Sequence, residues 1–305
     1  MYHRIGEELA DPWALSVSAR RFDEQLAWLK RNREVLSLAD FARRHCDGTL
    51  PARAIAITFD DGYACNASIA APLLESYDLP ATIFVTTEPV SSGSEFWWDD
   101  LQRMVAEAEV DHLSLSSGGC RMEVDLGNRE SDAERWSPGH PPATARQVAF
   151  LELWSALRPL DAASRAEAIE ELRAQTGTPR HSRETHRPMT AQELRALADA
   201  GHIDIGSHTM THPVLVEWSE DGQWAEIDGG RRSCERLTGK TPRSFAYPYG
   251  DHDHVSVGLV RKAGFDVACT TVSAPVRPQS DVLALPRLQV EDWSADELRR
   301  ALRFP

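Results

Sequence analysis

Amphipathic helices and short apolar strands alternate along most of this chain, and that alternation limits the fold more than any other feature. Phe22, Leu26 and Leu29 stand at helical spacing, and a short strand from Val35 to Leu38 follows, with a second helix behind it. Beyond Gly62 the scheme repeats as a helix ending near Tyr77, a Leu79-Pro80 break and a strand from Ala81 to Thr86. It returns as a helix over Ala191 to Asp199, with Gly201 as its stop, and a strand from His202 to Gly206. Residues 229–250, 256–271 and 281–290 each add a further helix or strand. Strands joined through helices pair in parallel, so an α/β fold is expected, built on a barrel or on an open doubly wound sheet.

Residues 95–188 break this rhythm. They carry three helical segments and a weak strand pair around "HLSLSSGGCRMEVDLG", without βα alternation. The expectation is a single domain over residues 1–305 with a mostly helical inserted lid or subdomain. Trp97 and Trp98, next to Asp99 and Asp100, can wall a substrate pocket there, or can open a helix and anchor the insertion by packing it onto the barrel.

With 305 residues, 42% of them hydrophobic, the chain has material for one large core. Its net charge of −14 and lack of a Lys/Arg run argue against non-specific binding to nucleic acid or to anionic lipid. The five cysteines are scattered and never spaced Cys-x-x-Cys, as expected of reduced thiols. No signal-like apolar segment opens the sequence and no run of ~18 apolar residues occurs, so neither secretion nor membrane insertion is expected and a cytoplasmic location is. A strand that starts at Met1 itself raises the expectation that a few upstream residues are missing. Nothing here sets an oligomeric state.

The chemistry is concentrated where strands end. The apolar run Ala54 to Phe59 leads directly into Asp60, Asp61 and Gly62. Two adjacent carboxylates in a partly desolvated place repel each other unless a cation or a shared proton relieves them. His208 and His212, four residues apart in "SHTMTHP", follow another strand end and can face one ion. Active sites of βα barrels gather at this end of the sheet. Asp61, His208 and His212 therefore make a two-histidine, one-carboxylate ligand set with positions left for water and substrate. Zn²⁺ is the first choice for it, and Co²⁺, Ni²⁺ and Fe²⁺ suit the same donors.

"TFDDG", "SHTMTHP" and "FAYPYG", in this order, resemble the motifs of the polysaccharide deacetylase superfamily (NodB homology, carbohydrate esterase family 4). The resemblance covers roughly residues 1–90 and 190–290. It implies a distorted (β/α)7-type barrel and metal-dependent hydrolysis of an N-acyl group on an amino sugar. Carried over by position, it implies Asp60 as general base and Asp61, His208 and His212 as metal ligands. It also implies the backbone N–H of Tyr249 as oxyanion donor, with Pro248 and Gly250 shaping that loop and Pro248 facing substrate.

Two departures stand out. An arginine that commonly pairs with the catalytic aspartate is replaced here by Ala246, and Arg287 in "ALPRLQV" is the expected substitute, since a buried arginine needs a carboxylate. The late histidine that usually protonates the leaving amine is also missing, because no histidine follows His254. His3, delivered to the barrel mouth by an N-terminal strand, is expected in that place ahead of His252 and His254.

The expected function is a metal-dependent hydrolase that removes an N-acyl group, foremost N-acetyl, from a small or intracellular amino-sugar compound. Two alternatives stand beside it: an amide hydrolase acting on a non-sugar N-acyl or N-formyl compound, and a catalytically impaired sugar- or partner-binding protein that keeps the metal site.

Overall fold

A computed structural model describes residues 1–8, 10–127, 136 and 140–303. The chain divides into two compact units. The first comprises residues 1–8, 14–93 and 188–305, and the second residues 9–13 and 94–187. The helical insertion expected at 95–188 thus takes in a short early segment as well.

In the first unit, Ile57–Phe59, Ala81–Val85, Ile203–Ser207, Ser244–Ala246 and Val267–Cys269 form a five-stranded sheet in chain order, each pair parallel. Two more segments flank it through single parallel bridges, Tyr2 beside Phe59 and Leu285 beside Cys269. The two edges meet where Val290 N donates to Met1 O at 2.9 Å and Met1 N to Leu288 O at 2.8 Å. This is the distorted α/β barrel of the NodB type, its outermost segments held by bridges instead of full ladders. Pro286, which has no N–H to donate, helps explain the short pairing on one flank.

Every residue of Ala81–Val85 is buried, as befits a central parallel strand covered on both faces. Tyr2 stacks on Phe59 with ring centroids 5.3 Å apart, and Phe22 meets both rings edge-on. This aromatic group ties the N-terminal segment and the helix Ala19–Asn32 to the strand that leads into Asp60.

The helix Ala191–Asp199 falls where its sequence pattern places it, opened by a Thr190–Glu193 capping box. The strand expected at 35–38 is shorter, Glu34–Val35, because Ser37 accepts from Asp40 N and starts the helix Leu38–Cys46.

The second unit has its own core. Helices Trp97–Glu107, Ala145–Leu157 and Ala162–Thr176 bury Leu101, Met104, Phe150, Leu153 and Leu172. An antiparallel pair, His112–Leu115 with Met122–Asp125, completes it. No helix among the described residues is long and apolar enough to cross a membrane.

Candidate active site

Three loops leave the C-terminal ends of barrel strands carrying the three sequence motifs. The described residues include six non-glycine residues with positive φ, and four of them stand in these loops: Asp61, Thr209, His212 and Tyr249. Left-handed backbone is unfavourable for such residues and persists where the surroundings enforce it, most often at functional sites.

In the first loop, Asp60 N donates to Tyr2 O at 3.0 Å and Asp61 O accepts from Thr86 N at 3.1 Å. Asp61 (φ 73°) and Gly62 (φ 93°) turn the chain sharply, so the two neighbouring carboxylates serve different partners. A Cβ on Gly62 would press on Val85 at 3.3 Å, which leaves glycine the fitting residue there.

Asp61 Oδ1 lies 3.6 Å from Nε2 of both His208 and His212. One donor atom from each of the three sits within 4.8 Å of the others, and all three residues are buried. A tetrahedral ion with bonds of ~2.0–2.2 Å has ligand-to-ligand edges of about 3.3–3.6 Å, so the three donors fit a divalent cation. His208 Nδ1 hydrogen-bonds Ala246 O at 2.8 Å, which puts the proton on Nδ1 and turns the lone pair of Nε2 toward Asp61. Burial lowers the pKa of His208 and favours the neutral ring that coordination requires.

Asp60 serves Arg287. Nη1 and Nη2 of Arg287 donate to its two carboxylate oxygens at 2.7 and 2.6 Å, while Nε donates to Thr270 O at 2.9 Å. Nη1 also reaches Thr58 Oγ1 at 3.1 Å. Burial by itself would raise the carboxyl pKa of Asp60, but the guanidinium beside it outweighs burial and holds it well below the usual carboxylate range. Ala246, at the position where the resemblance leads one to expect an arginine, is fully buried and supplies the carbonyl that orients His208.

Tyr249 has φ 59° in the turn Pro248–Gly250, and its ring meets His212 edge-on at 4.5 Å. Thr271 Oγ1 donates to Tyr249 O at 2.9 Å and pins the turn. Pro248 is buried in the same turn. His3 follows Tyr2 and lies close enough to Asp60, Arg287 and His208 to feel their charges; burial lowers its pKa to about 4. Its Nδ1 is buried without a hydrogen-bond partner. His252 Nδ1 is instead taken up by Gly250 O at 2.9 Å, and His254 is exposed at the start of a helix.

Trp97 and Trp98 belong to the second unit, where they pack in its interior. Trp98 stacks on Phe96 at 4.9 Å, and Trp97 stacks on Trp154 at 6.3 Å with the Arg165 guanidinium 5.3 Å from its ring.

Glu226, in the helix Glu220–Thr238, has no place in the motifs yet organises the histidine loop. Its carboxylate accepts from Met210 N and Thr211 N, each at 2.9 Å, and from Thr211 Oγ1 at 2.8 Å. A turn later Gly230 lets the loop approach, since a Cβ there would come within 2.8 Å of Thr209. One glutamate among many on a helix carries no distinguishing pattern in the sequence.

The fold and this constellation define an α/β barrel whose strand ends gather a two-histidine, one-carboxylate cluster, and comparison with known proteins gives it a family. A family model described as polysaccharide deacetylase matches residues 47–114 and 173–268, more than half of the chain. The chain belongs to the polysaccharide deacetylase (NodB homology) family.

Among curated relatives, it is 35% identical over 82 residues to the poly-β-1,6-N-acetyl-D-glucosamine N-deacetylase of Escherichia coli (strain K12). It is 37% identical over 73 residues to the protein of the same name from Staphylococcus aureus (strain MSSA476). These matches cover 26% and 24% of the chain, and span only 12% and 25% of the relatives. Among solved structures, the deacetylase PplD of Streptococcus pyogenes, in complex with acetate, superposes with TM-score 0.63 at 18% identity, covering 100% of this chain and 96% of that one. IcaB from Ammonifex degensii gives the same TM-score at 16% identity, covering 99% and 95%.

Proposed function

We propose that this protein is a metal-dependent N-deacetylase that removes an acetyl group from an N-acetylated amino sugar. The observation that carries this reading is the division of the two carboxylates, Asp61 facing two imidazole nitrogens and Asp60 clasped by Arg287. The curated relatives are named for poly-β-1,6-N-acetyl-D-glucosamine, which favours N-acetylglucosamine as the sugar unit.

Asp61, His208 and His212 would hold the cation, Zn²⁺ before Co²⁺, Ni²⁺ or Fe²⁺. A divalent ion there supplies Lewis acidity, which lowers the pKa of a water and polarises an acyl carbonyl. Asp60 acts as proton acceptor: its fork with Arg287 keeps it ionised and aimed, and each oxygen retains a lone pair. The backbone N–H of Tyr249, in its left-handed turn, is the proposed donor to the oxyanion, with Pro248 shaping the surface that meets substrate. His3, neutral near pH 7, takes up the proton that Asp60 has removed from the water and then gives it to the departing amine, which returns the ring to its neutral form.

Ala246 and the missing late histidine favour the alternative of an impaired binding protein, whereas the fork from Arg287, which gives Asp60 an orienting partner, supports turnover. Turnover is therefore expected. The test is release of acetate and free amine from N-acetylglucosamine and its oligomers by zinc-loaded protein, with Asp60→Asn and His208→Ala as controls. Release that is lost in both variants supports the reading; zinc-replete protein that releases no acetate from any of these substrates overturns it.

A further inference from the structure

The first unit contains a cavity of about 910 Å³ lined by none of Asp61, His208, His212 and Tyr249. Helices Ala19–Asn32, Leu38–Cys46 and Ala295–Ala301 present Trp28, Phe41 and Leu298 to it, so much of its wall is apolar. Its charge has one sign. Arg33, Arg53, Arg277 and Arg303 line it, and no aspartate or glutamate does, in a chain whose acidic residues outnumber its basic ones 47 to 33.

None of these four arginines forms an ion pair with a described residue. Arg33 donates to Asn32 O at 3.1 Å and lies over the Trp28 ring at 4.8 Å, with Arg53 as an unfavourable charged neighbour. Two other arginines of the lining are committed elsewhere, Arg287 to Asp60 and Arg299 to Asp296. Arg33 is half-buried beside Arg53, while Arg53, Arg277 and Arg303 are exposed at the cavity's wall, and such like charges beside an apolar surface without a counter-ion favour an anionic occupant. Several guanidinium groups suit the several oxygens of a phosphate better than a single carboxylate. A cavity of this size accommodates a small organic ligand.

We propose that this cavity binds an anionic amphiphile, a phosphate monoester whose head meets Arg33, Arg53, Arg277 and Arg303 and whose hydrocarbon chain lies against Trp28, Phe41 and Leu298. Arg287 and Thr58 belong both to this cavity's wall and to the deacetylase centre, but the proposal does not depend on the assignment of that centre.

Isothermal titration of the zinc-loaded full chain with decyl phosphate, below its micelle concentration, tests this. Saturable binding near one per chain is expected, at least about tenfold weaker in the double variant Arg53→Glu/Arg277→Glu, because each lost contact involves a charged hydrogen bond. Arg53→Lys/Arg277→Lys, which keeps both charges, should lose less. Inorganic phosphate and decanol are each expected to bind far more weakly, as they lack one half of the ligand. Absence of saturable binding, or equal affinity in the wild type and the Glu/Glu variant, overturns the proposal, as does decyl phosphate binding no tighter than phosphate or decanol. Decanoate binding tighter than decyl phosphate overturns the choice of head group.

Discussion

Arg287 and Asp60 stand 227 residues apart in the chain and meet in a planar fork, two parallel N–H···O bonds of 2.7 and 2.6 Å with both side chains buried. The arginine is further fastened to Thr270 O and Thr58 Oγ1, so the carboxylate is held in one orientation.

Breaking that pair from one side leaves a buried charge without compensation. Arg287→Met is expected to destabilise the fold by roughly 3–5 kcal/mol, and Arg287→Lys by less, since a single ammonium keeps the charge but not the fork. Urea unfolding of the three proteins measures the difference. A midpoint for Arg287→Met equal to wild type would show that the pair contributes nothing to stability.

Cation binding at Asp61, His208 and His212 should stabilise the native state over the unfolded one. Zinc added to chelator-treated protein is expected to raise Tm, the gain reaching about 4 kcal/mol at a thousandfold excess over Kd. Calorimetry should find the increase absent in a His208→Ala/His212→Ala variant; an equal increase there would place the ion elsewhere.

Glu226 touches none of the proposed ligands, yet three donors of the histidine loop end on its carboxylate. Glu226→Ala is expected to weaken zinc binding by about 10–100-fold, the usual effect of losing an outer-shell partner. Glu226→Gln should fall between, because an amide keeps one acceptor oxygen and lacks the other. Competition against a chromogenic chelator reads this without any substrate, and unchanged affinity in Glu226→Ala would remove Glu226 from the site.

His3 makes stability fall on acidification. Its pKa is about 4 in the native state against 6.5 when exposed, so the unfolded chain takes up a proton first. The contribution is complete above pH 6.5 and is lost as pH falls toward 4. Asp60, held below its ordinary 3.8, contributes fully above that value and weakens only in stronger acid. In His3→Gln the slope of unfolding free energy between pH 6.5 and 4 should flatten by close to one proton. Denaturant melts across that range decide it, and an unaltered slope would contradict a buried neutral ring.

The site was legible to the extent that its chemistry is local in the sequence. Asp60 and Asp61 are adjacent, His208 and His212 are one turn apart, and each pair follows an apolar run that reads as a strand. Arg287 could be reached across the chain because a buried carboxylate without its usual partner needs a cation and few arginines sit in strand-like sequence. Glu226 was out of reach, since the groups it binds are two backbone amides and one hydroxyl that carry no pattern. Trp97 and Trp98 read equally well as a pocket wall or an anchor, and their setting depends on Trp154 and Arg165, more than fifty residues on. The parallel order of the sheet followed from the alternation of helices and strands, whereas the thin pairing of its outer segments depends on the geometry of closure.

That closure bears on how the protein is born. Val290 N reaches Met1 O, and Tyr2 alone separates the strand that carries Asp60 from the residues that close the ring. A chain emerging from the ribosome can lay down the middle strands in order, but the seam between Met1 and Val290 forms only after Val290 has appeared, at a long sequence separation. Arg287 lies beside that seam. The proposed metal ligands are thus all translated by His212, while the proposed base acquires its partner last, so that a chain still in synthesis holds the candidate metal donors before it holds the group that aims the proton acceptor.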